Sequence, residues 1–92
     1  MIWAKDNPEK ARNNQLKYRF GITVEQYDAL LLKQKGECAI CRIEKCQTGR
    51  RFAVDHCHET GKVRGLLCNH CNKALGLFCD DYTILKSAAR YL

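Results

Sequence analysis

Apolar residues are scarce from Lys5 to Arg19, and that scarcity limits what the segment can form. Asn7-Pro8-Glu9 sets an N-cap residue before a proline at the first helical position, with an acid in the first turn. The pattern predicts a helix over about 8–19, to which Leu16 and Phe20 supply a thin apolar strip. Lys10 and Lys17 fall on one side of it and Arg12 and Arg19 on nearly the opposite side. A helix polar almost all round either projects from the body or lies against a charged partner. A basic arm on nucleic acid and a solvated surface helix are the two readings. Gly21 ends the segment, and Thr23-Val24-Glu25-Gln26 then reads as a capping box. Val24, Tyr27, Leu30 and Leu31 share one helical face, which predicts a core helix closing near Gly36.

Farther along, the pattern shortens to two apolar runs, 52–54 and 63–67, with turn chemistry at Glu59-Thr60-Gly61-Lys62 between them. They predict a hairpin, followed by a helix beginning near Cys71. Asp80 and Asp81 stand where acids favour a helix N-terminus. Ile84, Leu85, Ala88, Ala89 and Leu92 make a helical stripe, read as a closing helix packed on the core, with a dimer surface as the alternative.

At 92 residues the chain is expected to be one domain, divided into a helical arm (1–36), a central core (37–79) and a closing helix (80–92). So short a chain has little apolar core to stabilise it, and seven cysteines are the obvious supplement. The N-terminus turns polar by Lys5, unlike a secretory leader, and no stretch approaches a membrane span. The expectation is an intracellular chain with reduced thiols, whose cysteine spacing points to metal rather than to bridges. The odd count also argues against a closed disulfide framework.

Cys38-Ala39-Ile40-Cys41 and Cys68-Asn69-His70-Cys71 are two CxxC knuckles separated by 26 residues. Each puts two soft sulfurs on one side of a metal, and together they complete a tetrahedral Zn²⁺ shell. Four protein ligands leave no open position, so the site is structural; His70 is an alternative ligand. Cys46, Cys57 and Cys79 lack paired spacing and read as incidental thiols. The formal charge is +6, with seven basic and four acidic residues in each of 1–36 and 37–79 and a neutral remainder. That surplus favours a polyanion such as nucleic acid.

Between the knuckles, Asp55-His56 ends the first strand and Asn72 opens the facing helix. Asp55 and the Asn72 carbonyl are hard oxygen ligands suited to Mg²⁺ or Mn²⁺. His56 has the ordinary proton affinity for general-base work near neutrality. Arg64, Lys62 or His58 are candidates for stabilising developing charge, and the residues alone do not choose among them. The combination suits hydrolysis of a phosphodiester. A second reading is a non-catalytic zinc-stabilised DNA-binding module, which has no need of the Asp55, His56 and Asn72 set. A thiol redox protein is excluded by the missing βαβ pattern.

The run Val54-Asp55-His56-Cys57-His58-Glu59-Thr60-Gly61-Lys62-Val63-Arg64-Gly65-Leu66-Leu67-Cys68, with Cys38, Cys41, Cys71-Asn72 and Leu75-Gly76, resembles the recombination endonuclease VII family of HNH nucleases. The likeness extends upstream to 20–27 and downstream to the Asp80-Asp81 helix. It implies a small α+β fold: a zinc-stapled ββα-metal (HNH, treble-clef-like) core with an N-terminal basic helix, a second helix and a C-terminal closing helix. It implies structural Zn²⁺ on Cys38, Cys41, Cys68 and Cys71, a catalytic Mg²⁺ or Mn²⁺ on Asp55 and Asn72, His56 as general base and His58 as helper. The implied activity is a DNA endonuclease on duplex or branched DNA, leaving 5′-phosphate and 3′-hydroxyl ends. The expected DNA contacts are Arg64, Lys62, Lys73, Arg50, Arg51, Arg12 and Arg19. The expected setting is the cytoplasm of a bacterial host, phage- or prophage-encoded, with no membrane, as monomer or homodimer. Two departures stand out: Lys73-Ala74-Leu75-Gly76 lacks the carboxylate the phage resolvase carries one turn after its active-site Asn, and the resolvase's long C-terminal dimerisation region has no counterpart before Leu92.

Overall fold

The computed structural model describes residues 8–92; the expected cap at Asn7 lies outside the described residues. Helix α1 runs Pro8–Phe20. It stops at Gly21, whose φ of 72° suits a residue without Cβ and whose N–H donates to the Lys17 carbonyl at 3.0 Å. Helix α2, Val24–Lys33, starts from the expected capping box: Thr23 Oγ1 accepts from Gln26 N–H and Gln26 Oε1 accepts from Thr23 N–H. The polar α1 neither projects nor merely floats on the surface. Leu16 is buried, Asn13 Oδ1 accepts from Val24 N–H at 2.9 Å, and the Arg12 guanidinium lies 4.8 Å over the Tyr27 ring. Docked in this way, α1 leaves Lys10, Lys17 and Arg19 exposed.

Strands β1 (Ala53–His56) and β2 (Val63–Leu67) form an antiparallel hairpin with Ala53 opposite Leu67 and Asp55 opposite Gly65. Two strands alone are marginal in water. Here the free edge of β2 is covered by a side chain, Gln34, at the end of α2. Its Oε1 accepts from Leu66 N–H at 2.9 Å, and its Nε2 donates to the carbonyls of Leu66 (3.0 Å) and Glu37 (2.8 Å). Gly65 makes room for it, since a Cβ there would stand 3.1 Å from Gln34 Oε1. Tyr27 Oη donates to the Phe52 carbonyl at 2.6 Å and so ties α2 to the entry of β1.

Helix α3 spans Asn69–Leu77, two residues earlier than the pattern suggested, so the second knuckle is itself the first helical turn. Its first N–H groups are met by the loop before the hairpin: Asn69 N–H by Cys46 Sγ and His70 N–H by Gln47 Oε1. Helix α4, Tyr82–Tyr91, is capped by Asp81, which accepts from Thr83 and Ile84 N–H. It does not close on the core. None of its residues is buried, and Ile84 and Leu92 are exposed. The stripe read from the sequence is present, with Leu85 and Ala88 half-buried and the rest of it exposed. No helix among the described residues is long and apolar enough to cross a membrane.

The buried apolar residues are Leu16, Tyr27, Cys38, Cys46, Phe52, Leu66, Leu67 and Cys68, with Val24, Leu30, Leu31, Val54 and Leu75 packed around them. Three of these eight are cysteines, and the most deeply buried side chains are Leu66, Cys38 and Cys68. The centre of the core is therefore made largely of sulfur, in keeping with a domain too small to rely on hydrocarbon alone.

Candidate functional site

Cys38, Cys41, Cys68 and Cys71 bring their four sulfurs within 4.8 Å of one another, with Cys41 and Cys68 Sγ 3.6 Å apart. A Zn–S bond of about 2.3 Å sets the edge of a tetrahedron at about 3.8 Å, so the cluster has the size of a Zn²⁺ shell. The backbone supports the sulfurs: Cys38 Sγ accepts from Ile40 and Cys68 N–H, and Cys68 Sγ accepts from the Gln47 amide. Burial raises the Cys38 thiol, yet hydrogen bonds from the backbone of Cys68, Cys41 and Ile40 carry its pKa down to about 6. Cys68 is lowered against its burial by the Cys71 backbone and Gln47. Burial and the other sulfurs push Cys71 well up. Cys41 also rises, against an opposing backbone hydrogen bond from Ile43. The donor set fits Zn²⁺. His70 is exposed and lies outside this cluster of four.

On the other side of the hairpin, a groove of about 1160 Å³ runs between α1 and the strands. Asp55, His56, His58 and Asn72 all line it. Adjacent residues of a regular strand point to opposite faces. The pairing of β1 with β2 is irregular between Asp55 and His56, at the end of the strand that borders the groove. Asn72 arrives from α3, directly after the sulfur ligand Cys71. The His56 ring lies 5.2 Å from that of His58 and 5.6 Å from that of Phe20. Phe20 is thus a wall of the site that sequence reasoning had counted only as apolar filling.

Four of the expected DNA contacts, Arg12, Arg19, Arg50 and Arg51, line the same groove. Arg12 is mostly covered by its stack on Tyr27, with only 18% of its side chain exposed. Arg50 and Arg51 are exposed. Lys62 and Lys73 are exposed away from the groove lining. Arg64 is committed within the chain. Its Nε and Nη2 donate to Asp55 Oδ2 and Oδ1 at 2.7 and 2.9 Å, and its Nη1 and Nη2 to Asp80 Oδ2 and Oδ1 at 3.1 and 2.8 Å. The Asp80 carboxyl is held below the ordinary range, chiefly by these hydrogen bonds from Arg64. Asp80 was expected at a helix N-terminus, a place taken by Asp81 alone. Nothing in the local sequence marks it as a partner of the hairpin. Cys46, read as incidental, is buried and caps α3.

The family model for recombination endonuclease VII matches residues 13–92. The Gene 59 protein of Mycobacterium phage D29 is 46% identical over 74 residues, and that of Mycobacterium phage L5 is 43% identical over the same length. Each match covers 79% of this chain and 44% of the relative, so the chain spans less than half the length of these curated relatives.

Proposed function

The chain belongs to the recombination endonuclease VII family, and from that premise we propose that it is an HNH-type, metal-dependent endonuclease hydrolysing phosphodiester bonds in duplex or branched DNA. The observation that carries this reading is the shared groove: Asp55, His56, His58 and Asn72 lie in one cavity with four arginines. A protein that only held DNA would not need an imidazole pair and two oxygen donors at the floor of its basic groove.

Asp55 and Asn72 would hold the catalytic Mg²⁺ or Mn²⁺. Such an ion supplies Lewis-acid stabilisation of the charge that builds on the phosphoryl and leaving oxygens. His56 accepts a proton from the attacking water as its oxygen bonds to phosphorus and the bond to the 3′ oxygen breaks. The products carry a 5′-phosphate and a 3′-hydroxyl. His58, 5.2 Å from His56 ring to ring, lends charge at the same phosphate. Arg50 and Arg51 draw the strand along the groove through its phosphates. Zn²⁺ on Cys38, Cys41, Cys68 and Cys71 holds α3, and with it Asn72, against the hairpin. The proposed setting is the cytoplasm of a bacterial host, with the protein acting as a monomer or homodimer.

One observation favours a second reading, a zinc-stabilised module that binds DNA without cutting it: both oxygens of Asp55 are engaged by Arg64. A single experiment separates the two. Supercoiled plasmid and a four-way junction are incubated with the protein in Mg²⁺, Mn²⁺ or EDTA, beside His56→Ala. Metal-dependent cleavage lost in His56→Ala supports the nuclease. Binding without cleavage in any metal supports the module, and equal cleavage by both proteins rejects His56 as the base.

A further inference from the structure

We infer that Asp80 is a positioning residue for the cation site: by neutralising Arg64, it leaves Asp55 with a negative charge that a divalent cation can use. The inference rests on the proposed cation site at Asp55 and Asn72 and adds a residue that neither the sequence pattern nor the groove lining assigns to it.

The geometry is a chain of three charges. Arg64 spends four of its five N–H donors on two carboxylates, two on each. Paired with Asp55 alone, the guanidinium would cancel that carboxylate and repel an arriving dication at close range. With Asp80 on its far side, the trio carries a net charge of about −1 by simple count of ionised groups. Arg64 then orients the Asp55 carboxylate through a two-point contact and does not discharge it. Two hydrogen bonds to Arg64 leave further acceptor capacity on the Asp55 oxygens.

A second observation is the backbone that delivers Asp80. Cys79 and Asp80 are consecutive non-glycine residues at φ 57° and 55°, in the left-handed region that L side chains adopt at a cost. Helices commonly end with one such residue, usually glycine. Here two follow one another, and the Asp80 N–H donates to the Leu75 carbonyl at 2.7 Å. The very next residue, Asp81, supplies the cap of α4. The turn therefore aims one acid at the helix and the other at the hairpin, and it accepts strain to do so.

Mn²⁺ uptake by the zinc-loaded protein, followed by titration calorimetry and by the EPR signal of the free ion, tests the inference without reference to cleavage. Mn²⁺ does not compete with Zn²⁺ for thiolates, so the staple stays intact. Asp80→Asn should weaken Mn²⁺ binding about tenfold, because the guanidinium is left to oppose the ion. Arg64→Gln should bind at least as tightly as wild type, and the double variant should return to within about threefold of it. If Asp80→Asn binds like wild type, or if Arg64→Gln and the double variant are as weak as Asp80→Asn, Asp80 only braces the turn and the inference is overturned. If Asp80→Asn does not fold, an Arg64→Gln variant that binds Mn²⁺ more weakly than wild type overturns the inference by itself, because a guanidinium that needs neutralising cannot aid the ion by its presence. A wild type that takes up no Mn²⁺, or an Asp55→Asn variant that takes it up undiminished, overturns the cation site itself and this inference with it.

Discussion

The sulfur cluster and the groove share the start of α3, yet they are opposite kinds of site. Cys38 and Cys68 are fully buried, their sulfurs accept hydrogen bonds from the surrounding chain, and they sit at the centre of the core. Asp55 and His56 are half-buried, and His58 and Asn72 are exposed. The first site is a closed set of four sulfurs of the size that one ion would fill. The second leaves His58 and Asn72 open to the groove, with only Asp55 held within the chain, by Arg64. Closure serves stability and openness serves chemistry, and the two meet at Cys71-Asn72, where the last sulfur ligand is followed by the groove residue. Whatever fixes the start of α3 therefore also fixes one wall of the groove.

Breaking the closed site is expected to have the largest effect. Cys68→Ser removes a ligand from a core with three cysteines among its eight buried apolar residues. Structural Zn²⁺ binding is of order 10–16 kcal/mol at neutral pH, more than a domain this size otherwise has to spare. The expected outcome is loss of helical circular dichroism together with loss of bound zinc; a strong chelator should do the same to wild type. A Cys68→Ser protein that kept its spectrum and melting temperature would erase the contrast between the two sites.

Breaking the open site should leave the fold untouched. His56→Ala is expected to lower the cleavage rate by about 10²–10⁴-fold, the usual worth of a positioned general base. Its spectrum and zinc content should match wild type. If melting temperature fell as steeply as rate, His56 would belong to the scaffold, through its contact with Phe20.

A smaller effect lies at the wall of the groove, where α2 is tied to the entry of β1. Tyr27→Phe deletes the buried hydrogen bond to the Phe52 carbonyl and leaves that acceptor without a partner. The expected cost is about 1–3 kcal/mol. Each kcal/mol lowers the melting temperature by roughly 4–8 °C in a domain of this size. Cleavage at low temperature should persist. An unchanged melting temperature would mean that α2 and the strand are held together by packing alone.

How much of this was legible in the sequence follows the same divide. The knuckles, the capping box at Thr23 and the hairpin are local, and spacing places them; the grouping of Asp55, His56 and Asn72 comes with the motif that resembles the family. The start of α3 was put two residues late because the CxxC turn was read as a knuckle and not as helix. The roles of Cys46, Gln34 and Asp80 were not legible. Each bonds to a residue at least 16 positions away, and nothing in the local pattern points across such a gap. The exposure of α4 is not legible for a related reason: an amphipathic stripe says that a face is apolar, and does not say what covers it.

The smallest effects should come from the arginines, and they sharpen the comparison most finely. Arg50 and Arg51 are exposed on the groove, whereas Lys62 and Lys73 are exposed outside its lining, so charge is matched while position differs. If the groove carries the strand, Arg51→Ala should weaken DNA binding a few-fold and reduce the dependence of log affinity on log salt by about one. Arg50→Ala should behave alike. Lys62→Ala and Lys73→Ala remove the same formal charge and should move the salt slope much less. Filter binding across a salt series reads all four. Equal slopes for the four variants would mean that the net positive field alone attracts DNA, and that the groove has no privileged track.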